Sequence, residues 1–230
     1  MTAQLLSVNI GLAVPAPYGN EPDGRTAIDK RPVAERVALH RLGVEGNETV
    51  HPAHGGVDKA VYAYAREDAL WWEAELGRPL SPGAFGENLT TEGLDINGAE
   101  IGQRWRIGEA VVEVSEPRIP CTVFAGFWDV PDLIKRFTRR GQPGAYLRVV
   151  TEGAVAAGDL IEVVHRPGHG VSLAEAFRAR TGERDLVPRL LEATELPAAW
   201  HAWAHRVLGH RGEPTTQRAE RDGLGAGAVT

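Results

Sequence analysis

The chain holds one cysteine, Cys121, and three lysines, Lys30, Lys59 and Lys135, in 230 residues. A single cysteine excludes an intrachain disulfide framework and an all-cysteine zinc or iron–sulfur site. No run approaches the roughly 18 apolar residues that a membrane span needs. The start, Met1-Thr2-Ala3-Gln4, lacks the basic and long apolar stretches of a secretory signal, so a cytoplasmic protein is the default expectation. A net charge of -6 suggests no bulk attraction to nucleic acid or to an anionic membrane. There is no Walker loop, no GxGxxG after a strand, no GxSxG and no internal repeat. What is there is ordinary globular material, 43% hydrophobic and 24% charged, long enough for one large domain or a domain with a small appendage.

Short strands are expected at Gln4–Ile10, Val37–Val44, Val61–Tyr64, 103–107, 110–115, Tyr146–Val150 and Asp159–Val164. Residues 14–24, rich in Pro, Gly and Asn, read as a loop. Two helices interrupt the strands. One runs from Arg66 to Leu76 with Leu70, Trp71 and Ala74 lining a face, and one from Pro131 to Arg139. The pattern predicts a mainly β fold, a barrel or closed sheet over residues 1–166, and not a doubly wound one. From residue 167 the character turns helical. Ser172-Leu173-Ala174-Glu175 is a capping box, a second stretch covers Glu183–Glu192 around Pro188, and a third runs from Ala198 to Leu208. Residues 167–210 are thus expected to form a small three-helix unit, and 211–230 a disordered tail.

Cys121 ends a stiff stretch, Pro117-Arg118-Ile119-Pro120. Proline fixes its own φ and pushes the preceding residue towards extended geometry, so the lead-in to the thiol is non-helical. An arginine three residues ahead favours thiolate over thiol if the fold brings the two together. The plain alternative is an inert buried cysteine. Basic and polar residues gather beside loops: Arg25, Lys30, His54, Lys59, Asn88, Arg118 and Arg148. Lys59 follows a His-Gly-Gly loop whose backbone N–H groups suit an anion, and a barrel mouth lined this way suits an anionic small molecule. Each has a structural alternative. Arg25 and Lys30 can be solvated charges, His54 can cap a turn, Asn88 can serve a positive φ, and Arg148 can pair with a structural carboxylate. His51 with His54, and His201 with His205, lack the partners of a familiar zinc site.

Five stretches in order resemble the MOSC (molybdenum cofactor sulfurase C-terminal) domain family, most of all its YiiM-like bacterial branch. They are Thr26-Ala27-Ile28-Asp29-Lys30-Arg31-Pro32-Val33, His54-Gly55-Gly56-Val57-Asp58-Lys59-Ala60-Val61-Tyr62, Phe85-Gly86-Glu87-Asn88-Leu89, Pro117-Arg118-Ile119-Pro120-Cys121 and Tyr146-Leu147-Arg148-Val149. The helical segment after them resembles that branch's C-terminal three-helix domain. The resemblance implies a β-barrel that binds molybdenum cofactor (molybdopterin), with Cys121 as metal ligand and catalytic centre. It implies that Thr26, Lys30, His54, Gly55, Lys59, Asn88, Arg118 and Arg148 hold the phosphate and pterin. Such proteins, like the mitochondrial amidoxime reducing component, reduce N-hydroxylated compounds, here hydroxylaminopurines or amidoximes, in a detoxifying role. Their electrons come from a separate, flavin-dependent reductase. At domain level the resemblance also carries an association with pyridoxal phosphate binding. A monomer or homodimer is expected. Ala53 and Ala145 depart from the family's usual histidine and aromatic residue, which bears on the pocket lining. The competing readings are a sulfur carrier or cofactor-delivery module, and an inert thiol.

Overall fold

The structure, a computed structural model, describes residues 2–20, 24–50 and 54–210. In chain order the elements are β1 (Gln4–Ile10), β2 (Val14–Asn20), β3 (Arg25–Thr26), β4 (Arg31–Val33), β5 (Val37–His40), β6 (Gly43–Val44), β7 (Val61–Ala65), α1 (Arg66–Leu76), β8 (Leu89–Glu92), β9 (Arg104–Ile107) and β10 (Ala110–Pro117). They continue with α2 (Thr122–Trp128), α3 (Leu133–Arg140), β11 (Ala145–Thr151), β12 (Gly153–Val155), β13 (Ile161–His165), α4 (Leu173–Thr181), a 3-10 helix over Arg184–Glu192, and α5 (Ala198–His210).

Eight strands form one mixed sheet in the order β13-β9-β10-β11-β7-β8-β1-β4. All neighbours are antiparallel except β7 and β8, which run parallel. The expected closed barrel is therefore corrected to a sheet whose continuous ladders stay open. Among the described residues, β1, the strand next to the β4 edge, reaches the β13 end through one bridge, Gln4 to Leu160, and backbone bonds such as Leu5 N–H to Asp159 O at 2.9 Å. The reason lies on the outer edge of β1. Its C-terminal half, Val8–Ile10, is taken by β4, so only its first residues are left to reach the strand at the other end. Pro32 sits in that outermost strand, where its missing N–H costs no ladder bond.

Side-chain alternation sorts two cores. In β7, Val61, Ala63 and Ala65 face an aliphatic core, while Tyr62 and Tyr64 face an aromatic one. In β11, Ala145, Leu147 and Val149 join the first core and Tyr146 packs against the second. The aromatic core is roofed by α1, α2 and α3, with Trp72, Phe124, Trp128 and Phe137 in mutual contact. Leu173, Ala176, Val187, Leu190, Trp200, Trp203 and Ala204 of the C-terminal helices lie in the same aliphatic cluster as the sheet.

Several local expectations needed correction. Residues 14–20 form a strand, because Gly126 lets the chain approach α2: a Cβ there would lie 2.3 Å from Tyr18 Cβ. α2 itself is a helix that the flanking prolines and Gly126 hide from a composition-based reading. Gly153 lies in β12, paired with Leu39 of β5. The buried stripe of α1 is Asp68, Ala69 and Trp72, while Leu70 and Trp71 are exposed. Asp68 can be buried because Asn97 Nδ2 and Arg140 Nη2 bond its two oxygens at 2.7 and 3.1 Å. Of the capping box at α4, Ser172 Oγ accepts from Glu175 N–H at 3.1 Å, and the Glu175 carboxylate accepts instead from Arg189 Nε at 3.0 Å. The tail from 211 onward lies outside the described residues. Among the described residues no helix is long and apolar enough to cross a membrane.

The site's dependence on the aromatic core can be measured. Trp128 is 5% exposed and its Nε1 donates to Ala84 O at 2.7 Å. Trp128→Ala is expected to lower stability by about 3–5 kcal/mol in urea unfolding. A loss below about 1 kcal/mol would mean that α2 is held by something other than this cluster.

Candidate functional site

The last residues of β10 run into the turn Arg118-Ile119-Pro120 and place Cys121 at the start of α2. Its φ of -125° and ψ of 171° are extended, as is usual for the residue that caps a helix N-terminus. Cys121 is a free, half-buried thiol on the wall of a cavity of about 100 Å³. Thr26, Lys30, His54, Lys59, Asn88 and Arg118 line the same cavity. Gly55 instead borders an adjoining groove of about 620 Å³, which shares Cys121, His54, Lys59 and Tyr146 with the cavity.

Arg118 is the centre of the arrangement. It is 5% exposed. Its guanidinium lies 4.1 Å from the Phe124 ring centroid and 5.4 Å from that of Tyr62, and it shares a hydrogen bond with Tyr146. Burial works against its charge, but Tyr62, Tyr146 and Cys121 together outweigh that and hold its pKa above the ordinary value. Its Nη1 is buried with no hydrogen-bond partner. A buried donor of a charged group left unpaired is costly, and this one belongs to a side chain that lines the cavity.

Lys30 projects from the loop between β3 and β4. Its Nζ donates to Asn47 Oδ1 at 2.5 Å and to Ala27 O at 3.4 Å. Burial lowers its pKa to about 8, with the charge of Glu87 acting the other way. Gly83, at φ +89°, lets the neighbouring loop close on this lysine, since a Cβ there would lie 2.3 Å from Lys30 O. Glu87 holds that loop, accepting from Gly83 N–H at 2.6 Å, Phe85 N–H at 2.9 Å and Thr90 Oγ1 at 2.8 Å, and burial raises its pKa. The pKa of His54 is lowered by burial first and then by the charges of Arg118 and Lys59.

Other residues have structural tasks. Asn88 does not adopt a positive φ. Its Oδ1 accepts from Tyr62 N–H at 3.2 Å, and its Nδ2 donates to Asn9 O at 3.2 Å and Asn47 Oδ1 at 3.3 Å, which ties three segments of the wall together. Thr26 Oγ1 accepts from Ile28 N–H at 3.2 Å. Arg148 lies outside both voids, bonded to Asp58 at 2.6 Å and Glu113 at 3.0 Å. Arg25 donates to Ala13 O at the surface. Tyr62, Tyr146, Asn47 and Glu116 were not among the sequence candidates. Tyr62 and Tyr146 are cross-strand partners with ring centroids 5.2 Å apart, and the polar-face alternation of β7 and β11 was the signal for them. Among the described residues no three His, Cys, Asp or Glu side chains stand together as a metal site. His51 and Ala53 lie outside the described residues.

A buried guanidinium, a lysine whose pKa is lowered to about 8 and one soft thiol surround a small cavity, a set of groups whose chemistry suits an anion. The chain belongs to the MOSC domain family, whose pattern matches residues 50–162. It is 38% identical over 205 residues to the uncharacterized protein YflK of Bacillus subtilis, covering 86% of this chain and 91% of that one. It is 35% identical to the protein YiiM of Escherichia coli, over 78% of this chain and 83% of that one. A protein named reductase from Gibberella moniliformis is 33% identical over 84% of this chain, which spans only 35% of that longer protein. The crystal structure of YiiM from Geobacillus stearothermophilus superposes with a TM-score of 0.75 at 32% identity, covering 90% of this chain and 99% of that one.

Anion binding should follow the charge of Lys30. Below pH 8 the side chain is an ammonium; above it the charge is lost in the free protein. Sulfate keeps its charge across this range, so its Kd is expected to weaken by about tenfold between pH 7 and 9. A bound anion pushes the midpoint somewhat above 8. Lys30→Gln should bind weakly with a flat profile. A flat profile in the unaltered protein would take Lys30 out of the anion site.

Proposed function

We propose that the protein is a molybdenum-cofactor-dependent oxidoreductase that reduces N-hydroxylated compounds, hydroxylaminopurines or amidoximes, with electrons from a separate flavin-dependent reductase. The observation that carries this reading is the buried, unpartnered Arg118 Nη1 beside the free thiol of Cys121. The donor set fits the cofactor. A thiolate is a soft ligand suited to such a metal, and Arg118, Lys30 and Lys59 offer charge to a pterin phosphate. Thr26, Asn88 and the Gly55 loop shape the wall, with His54 at the rim. Arg148 takes no part, its charge being answered by Asp58 and Glu113.

The chemistry such a cofactor supplies when bound is two-electron removal of oxygen from the substrate's N–OH group. Two electrons and two protons enter, the N–O bond breaks, and the amine or amidine leaves with water. The chain's own residues bind and orient. Cys121, which borders both cavity and groove, would be the side chain that holds the metal. Arg118 is held rigid by Phe124 and Tyr62. The reductase name of one relative supports the redox reading. Neither the pyridoxal phosphate association nor a detoxifying role gains support from the relatives or the pocket, and neither belongs to this proposal.

Protein purified from a host that makes the cofactor should contain molybdenum by inductively coupled plasma mass spectrometry. It should turn an N-hydroxylated base into the amine. Cys121→Ala should lose turnover by at least a hundredfold while its thermal unfolding stays within about 1 kcal/mol of the parent. Full turnover in that variant would sink the assignment. A persulfide on Cys121 without reductase activity would favour a sulfur carrier instead.

A further inference from the structure

The groove outside Cys121 differs from the cavity within. The inner void is bordered by Lys30, Arg118 and Asn88; the outer one is lined by the Ile119-Pro120 turn and, from the C-terminal helices, by residues that include Arg180 and Trp200. Its volume of about 620 Å³ suits a ligand of nucleotide size. At Arg180 it meets a local concentration of positive charge, since the charges of Arg184 and Arg206 act on that side chain in a chain of net charge -6. Arg180 lies 4.4 Å from the Trp203 ring centroid and 5.9 Å from that of Trp200, and Arg184 lies 5.2 Å from Trp203. Arg180 makes no ion pair among the described residues. Burial and the charges of Arg184 and Arg206 lower its pKa, and only Glu116 opposes them. Glu116 is itself engaged by Lys59 at 3.1 Å and by the Trp200 indole N–H. An exposed guanidinium that sits over the Trp203 ring and near that of Trp200, makes no ion pair among the described residues and has the charges of Arg184 and Arg206 acting on it, is arranged to take a phosphate.

The geometry points to a phosphorylated substrate: the outer groove binds an N-hydroxylated nucleoside monophosphate, with its phosphate on Arg180 and its base directed along the Ile119-Pro120 turn towards Cys121. This deepens the reductase reading and rests on it for the N-hydroxyl group, but not for the nucleotide itself. Arg180 is then a specificity residue contributed by α4, which makes the C-terminal helices part of the substrate site.

Two measurements on the full chain separate the possibilities. Calorimetry with adenosine 5′-monophosphate, adenosine and inorganic phosphate needs no turnover. The monophosphate should bind at least tenfold tighter than either of the others, and Arg180→Gln should remove that advantage. Arg184→Gln, at an exposed position beside Trp203, should reduce it severalfold, which guards against a misfolded first variant. Equal binding of phosphate and nucleotide would reduce the site to a free-anion site, and equal binding of adenosine and nucleotide would remove Arg180 from recognition; either result overturns the proposal. Turnover is then followed in the holoenzyme with reduced methyl viologen as electron donor. The kcat/KM for N6-hydroxyadenosine 5′-monophosphate should exceed that for N6-hydroxyadenosine by at least tenfold, and Arg180→Gln should abolish the difference. If the nucleotide binds as expected but neither compound is reduced, the reductase reading fails and the nucleotide site stands. If Arg180→Gln slows turnover only when a protein reductase replaces the viologen, the arginines serve the electron donor and the substrate proposal is overturned.

Discussion

A guanidinium that is 5% exposed must have its charge answered inside the protein. Around Arg118 the answer comes from three aromatic side chains. Phe124 offers a ring face from α2, Tyr62 offers one from β7, and Tyr146 supplies a hydrogen bond from β11. These three reach the same point because β7 and β11 are paired in register at Tyr62 and Tyr146, and because α2 begins four residues after the arginine. One donor, the buried Nη1, is left without a hydrogen-bond partner. The sheet, the aromatic core and the proline-bracketed turn therefore converge on one unsatisfied donor beside one thiol, and the cavity is where a ligand would satisfy it.

How much of this could be read beforehand differs by element. β1 and α1 lie where expected, because apolar alternation and the Gly77 stop are local signals. β2 was hidden by its prolines, and its strand character comes from a pairing with β3 and a close approach to Gly126. Barrel closure was not legible, since it turns on β4 competing for one edge of β1, a contest between segments about 20 residues apart. At the site, residues on turns declared themselves through Gly, Pro and basic side chains. Tyr62 and Tyr146 looked like core and serve both core and pocket. Arg148 shows the opposite case. Its position in a strand suits a cofactor ligand or a structural pair equally, and only the positions of Asp58 and Glu113 decide for the pair.

The contact between Glu116 and Trp200 spans 84 residues and has no local signature. Its consequence is nonetheless large. Glu116 Oε1 holds Lys59, whose Nζ lies 5.5 Å from the Tyr146 ring centroid, and Lys59 and Tyr146 border both the cavity and the groove. Removing the indole N–H would leave a buried carboxylate oxygen to find another donor, and Lys59 is the cation already beside it. A lysine drawn onto a carboxylate has less charge to offer an anion. The C-terminal helices thus bear on the electrostatics of the inner cavity through one side chain, while their own buried residues are continuous with the sheet's aliphatic core. Physically they are a wall of the site, and the placement of α5 is coupled to the charge presented next to Cys121.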